Sequence, residues 1–249
     1  MADAAADEQR ALRSMRADPS MFAQVKMSLK DPTHAVQRFL KRPFAAIPEI
    51  NDVHSVLVTR QDSLISTIQF SDVLSSTFEQ FAKKLSSRRV HNLQFRKHRF
   101  NSVQRPTGRC ILCFKAVVAT AIFASTHRRN ERDGARAEHF LEYINERRLI
   151  LLSMMADAAD EVSVLIRYLD SGNFDTAGVV SELQQFIGRV SALFLDGQCR
   201  NSGYCEYMLT TLQTPTSFLC KAGPRSIGGD RVTDALFQEA LKEQSFAWF

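Results

Sequence analysis

Apolar residues recur along most of this chain at helical spacing. The sharpest run opens at Ser71, where Leu74, Phe78, Phe81 and Leu85 fall at i, i+4, i+7 and i+11. That is one stripe of an amphipathic helix. Phe114 to Ala124 is almost wholly apolar and rich in Ala and Val, which predicts a buried helix. A charged loop from Thr126 to Gly134 then precedes a helix expected over about 135–155.

Short helices with capping signals fill the rest. Asp157 is placed to cap a helix carrying Val162, Leu165, Ile166 and Leu169. Asp175 is placed to cap another, with Val179, Leu183, Phe186, Ile187 and Val190 on one stripe. Cys205 to Leu212 reads as a shorter helix before Pro215, and Asp230 as the cap of a terminal one. Gly223-Pro224 and Gly228-Gly229 read as loop punctuation. Near the N-terminus, Asp18-Pro19-Ser20 and Asp31-Pro32 divide helical stretches carrying Phe22, Val25 and Leu29, then Val36, Phe39 and Leu40.

Residues 86–109 read as irregular, closing at Pro106-Thr107-Gly108. Around 53–70 the pattern fits either a helix or short strands, and 90–96 is a second place for a short β element. The fold class expected is mainly α, an irregular multi-helix globular bundle. Three segments follow: an N-terminal helical region over 1–70, an amphipathic helix with a basic irregular segment over 71–109, and a C-terminal helical domain over 110–249.

Composition narrows the class. A chain of 249 residues with 45% hydrophobic and 24% charged residues is long enough to bury its own core. The acidic, Ala-rich opening lacks the flank and apolar stretch of a signal peptide. The longest uncharged apolar run, Ala116 to His127, is 12 residues, too short for a membrane span. Five cysteines do not suggest a secreted disulfide framework. The expectation is a cytoplasmic or nuclear protein that is not secreted.

Charge changes the picture most. From Gln80 to Asn130 there is no Asp or Glu, while Lys and Arg number twelve. The remainder carries 20 basic and 27 acidic residues, so the net charge of +5 hides a strong segregation. Such a stretch attracts polyanions. Lys83, Lys84, Arg88, Arg89, Arg96, Lys97, Arg99, Arg105 and Arg109 are the candidate phosphate contacts. Phe95 and Phe100 interleave with them and are candidates to stack on bases, or else core residues beneath a solvated charged face.

Cysteine spacing adds a second candidate. Cys110 and Cys113 form a C-x-x-C pair, and Cys199 and Cys205 a wider one with Gly203 in the turn between. With His127, separated from Cys113 by thirteen residues, they form a composite candidate set for structural zinc. The apolar neighbours Ile111, Leu112 and Phe114 favour plain buried thiols.

No phosphate-binding loop, dinucleotide fingerprint, H-E-x-x-H or G-x-S-x-G occurs. The loop Gly223 to Asp230 lacks the lysine of a phosphate-binding loop. The function expected is therefore non-enzymatic: nucleic-acid binding or nucleoprotein assembly, with DNA and RNA equally open. The rival is a protein-interaction scaffold, such as a viral structural or packaging component. There the basic stretch meets an acidic protein partner and Phe246-Ala247-Trp248-Phe249 serves as an anchor. Self-association into a homo-oligomer fits either reading. A thiol-dependent enzyme is the third.

Overall fold

The computed structural model describes residues 42–60, 62–85, 93, 104–170 and 176–249, with isolated positions 10, 14 and 17. The N-terminal helices expected up to Leu40, most of the basic run from Arg88 to Phe100 with the 90–96 β element, and Asp175 lie outside these residues. The described chain is mainly helical, with one small two-stranded antiparallel hairpin.

Helix α1 spans Pro48–His54 and runs into a π-helical turn, Ser55–Thr59. Helix α2 (Leu64–Phe70) starts where the Ser63 hydroxyl accepts the Ser66 N–H at 3.2 Å. The strands considered for 53–70 are thus not formed. Val56, Leu57 and Val58 are buried in succession, as are Leu64 to Ile68. A run buried on every side needs its backbone polar groups satisfied within the segment, and here a helix does that.

Helix α3 (Asp72–Leu85) buries Leu74, Phe78 and Ala82, while Leu85 at its end is exposed. Helix α4 (Gln104–Leu112) replaces the irregular closure expected at Pro106-Thr107-Gly108. Pro106 sits in the first turn, where a missing N–H costs nothing. Gly108 lies against Tyr204, and a Cβ there would sit 2.6 Å from its hydroxyl oxygen. Helix α5 (Phe114–His127) leaves α4 at a corner of 84°. Among the described residues no single helix is long and apolar enough to cross a membrane.

Helix α6 spans Arg132–Tyr143, and α7 runs unbroken over Glu146–Leu169. Their boundary falls at Asn145, whose side chain accepts the Arg148 N–H at 2.9 Å. Asp157, expected at a helix start, lies in the middle of α7. Every residue from Leu149 to Ala159 is buried. A helix buried all round has no polar face to mark its length, so its continuity was hidden in the sequence. Around α7 pack α1, α4, and three later helices: α8 (Thr176–Phe194), α9 (Gly203–Leu212) and α10 (Asp234–Trp248). On the other side of the molecule α5 packs on α3 and α6, with α2 against α3 and α6.

Strands β1 (Thr216–Cys220) and β2 (Gly223–Ile227) pair with Phe218 opposite Arg225. They occupy the stretch read as loop punctuation. Phe218 and Cys220 face inward and Leu219 outward, an alternation only five residues long. Two buried carboxylates hold the hairpin from outside: Glu138 accepts the Lys221 N–H, and Glu146 the Gly228 N–H at 2.9 Å. Arg225 donates to the carbonyls of Leu141 at 2.9 Å and Ile144 at 3.2 Å, at the end of α6. Asp230 falls in a short 3-10 turn, and Thr233 is the residue that caps α10, accepting the Leu236 N–H.

One core cluster joins residues from Phe44 to Leu241. Each large apolar side chain buried in it contributes about 1.5–3 kcal/mol before chain entropy is counted.

Candidate functional site

The basic stretch begins at the last turn of α3, where Lys83 and Lys84 are exposed. It re-enters the described chain at α4, with Arg105 in the first turn and Arg109, half-buried, in the last. Lys115 is exposed near the start of α5 and Arg129 just past its end. Arg88, Arg89, Arg96, Lys97 and Arg99, with Phe95 and Phe100, lie outside the described residues. Leu93, between them, is buried in the core.

Some arginines outside the stretch are paired within the fold. Arg147 pairs with Glu49, Glu239 and Glu243, Arg189 with Glu161 and Glu182, and Arg200 with Asp234. Inside the acid-free stretch, Arg128 pairs with Glu131 and Asp133, which lie just beyond its boundary. Lys83, Lys84, Lys115 and Arg129 make no salt bridge among the described residues.

Four of the five cysteines sit as two buried pairs, and Cys220 is buried on β1. Cys110 is near the end of α4 and Cys113 at the corner before α5. Burial, reinforced by the neighbouring Cys113, pushes the Cys110 thiol up to about 12. Cys199 hydrogen-bonds Cys205, and that bond, with burial, raises the Cys205 thiol far above its ordinary value. His127 stands at the far end of α5, about 20 Å from Cys113 at 1.5 Å per residue. There its ring stacks on Phe123 at 4.6 Å, and Nδ1 lies 3.1 Å from the Phe123 carbonyl. Among the described residues no three His, Cys, Asp or Glu side chains converge as a metal site.

A buried polar cluster went unnoticed in the sequence. The Asp157 carboxylate accepts the Tyr204 N–H at 2.6 Å and the Cys205 N–H at 3.0 Å, so it caps α9 from another helix. Gly203, at φ 81°, leaves room: a Cβ there would lie 2.3 Å from Asp157 Oδ1. Burial pushes the Asp157 carboxyl up to about 7, against the pull of the two N–H groups. The readable signal was an aspartate amid the otherwise uncharged run from Leu149 to Ala159.

Two of the clefts among the described residues bear on binding. One of about 650 Å³ lies between α9 and α10, bounded by Arg200, Glu206, Thr210, Asp230, Thr233 and Asp234. Three carboxylates against one guanidinium make it an unfavourable place for phosphate. The other, about 420 Å³, is an apolar groove between α8 and the C-terminal residues Ala247, Trp248 and Phe249. Trp248 is anchored inward, stacked on Phe194 with ring centroids 6.3 Å apart, whereas Phe246 and Phe249 are exposed. The aromatic end is thus half core and half surface. Compared with protein-family models, with curated proteins and with solved structures, the chain matches none.

Proposed function

We propose that this chain is a non-enzymatic nucleic-acid-binding protein that meets phosphates through the stretch from Gln80 to Asn130. The observation that carries the reading is charge segregation: twelve cations and no acid in that stretch, against a net acidic remainder. Exposed Lys83, Lys84, Lys115 and Arg129, which make no salt bridge among the described residues, support it. An unneutralised cationic stretch is self-repelling, and a polyanion relieves that repulsion while releasing its own counterions. Binding of this kind follows charge and carries little base readout.

The test is fluorescence anisotropy with single- and double-stranded DNA and RNA oligonucleotides across a salt series. Binding should weaken steeply, by a factor of about 10³ between 50 and 200 mM salt if about six phosphates are neutralised. Replacing Arg88, Arg89 and Arg96 together by Ala should flatten that dependence. No binding at low salt, or no effect of the triple variant, would overturn the reading. The same cations would serve a scaffold that docks an acidic protein. Equal affinity for polyglutamate and for nucleic acid at matched charge would favour that second reading.

A further inference from the structure

The hairpin turns a second cationic surface outward. Successive strand side chains point to opposite faces, so Phe218 and Cys220 go inward. Ser217 and Leu219 go outward, each opposite its partner on β2, Ser226 and Pro224. Leu219 is 72% exposed, and the Ser217 and Ser226 hydroxyls lie 3.5 Å apart. A cleft of about 440 Å³ lies over this face, bordered also by Arg225 and Arg231. Among the described residues no carboxylate borders it. The sequence agrees: from Tyr207 to Gly229 the chain carries Lys221 and Arg225 and no acid.

Both guanidinium groups keep their charge. Arg225 donates to the carbonyls of Leu141, Glu142 and Ile144, and Arg231 to that of Ser226. Neither makes a salt bridge among the described residues. Carbonyl oxygens orient a guanidinium without cancelling its unit charge, and they leave N–H donors over. The 3-10 turn Gly229–Arg231 then separates its own charges. Asp230 borders the cleft between α9 and α10, whereas Arg231 borders the one over the hairpin.

We propose that this cleft is a second phosphate contact for a nucleic-acid strand, outside the stretch from Gln80 to Asn130. A guanidinium fork matches the geometry of phosphate oxygens, and Arg231 is exposed enough to offer one. The paired serine hydroxyls add neutral donors beside it. Leu219 and Pro224 supply apolar ground for the sugar next to the phosphate. The assignment rests on the nucleic-acid reading and extends it to residues that lie far from the basic stretch in sequence.

Anisotropy of a labelled single-stranded oligonucleotide across a salt series tests it on the full chain. Arg231→Ala should weaken binding several-fold at low salt. It should also lower the slope of log affinity against log salt by about 0.7, the loss of one phosphate contact. Arg231→Lys should restore the slope but only part of the affinity, since it keeps the charge and loses the fork. Amide hydrogen exchange at residues 216–227 should stay at the wild-type rate in both. Should it accelerate, Ser217→Ala with Ser226→Ala decides instead: weaker binding supports the contact and unchanged binding overturns it. If the Arg88, Arg89 and Arg96 triple variant loses affinity while Arg231→Ala changes nothing, the hairpin contact is overturned and the nucleic-acid reading stands. Arg231-dependent binding of polyglutamate without binding of the oligonucleotide would assign the cleft to an acidic peptide, which also overturns the proposal.

Discussion

Asp157 Oδ1 accepts the backbone N–H of Tyr204 at 2.6 Å, so the middle of the central helix α7 caps the start of α9. The contact spans 47 residues of sequence. Beside it, Cys205 on α9 hydrogen-bonds Cys199. Removing the carboxylate leaves two N–H groups in a buried setting. Asp157→Ala should therefore cost about 2–4 kcal/mol in urea unfolding, with the loss concentrated in α9.

The same carboxyl has a pH signature. Burial places its folded-state value near 7, above the ordinary carboxylate value of about 4. The folded protein holds the proton more tightly, so this contribution is full below about 4 and is lost as pH rises through about 7. Asp157→Asn should remove that falling contribution from the stability profile.

His54 works in the opposite direction. Burial pushes its imidazole down to about 4, its Nε2 has no partner among the described residues, and Phe44 lies beside it at 5.8 Å. The unfolded chain then binds the proton first as pH falls through about 6.5, so stability is lost between about 6.5 and 4. His54→Gln should remove a slope of up to about 1.4 kcal/mol per pH unit in that window. The two groups partly cancel between pH 4 and 6.5, so the wild type should look flatter than either variant. Equilibrium unfolding across that range checks both.

Arg225 ties the hairpin to the end of α6 through carbonyls that α6 cannot itself satisfy. Arg225→Ala should free β1 and β2 while leaving α7 intact. Amide hydrogen exchange should accelerate at residues 216–227, with a global cost of about 2–3 kcal/mol. Uniform acceleration across the chain would show that the hairpin is part of one cooperative unit.

All five cysteines are buried, and Cys110 is held at about 12. At pH 8 its thiolate fraction is about one part in 10⁴, and the thiolate is the reactive form. The native protein should resist iodoacetamide at Cys110, Cys113, Cys199 and Cys205. All should react in guanidinium, as mass spectrometry would show. Fast labelling of Cys110 in the native state would reopen thiol chemistry at that pair.

Much of the helical architecture was legible in the sequence, for a definite reason. Where a helix has one wet face, as in α3, the spacing of Leu74, Phe78 and Phe81 records which side is buried, and only Leu85 at the helix end departs from it. Where burial is complete, as at Leu149 to Ala159, that record vanishes, and only the assembled neighbours show that α7 runs through Asp157. The hairpin failed differently: Phe218 and Cys220 alternate too briefly to stand apart from a loop, and its stability comes from Glu138, Glu146 and Arg225, distant in sequence. The segregation of charge was determined by the sequence alone, because it is a count along the chain. Which cations lack a salt bridge among the described residues, which cysteines face each other, and that Ile187 lies bare were decided only by tertiary structure, since each depends on what packs from elsewhere.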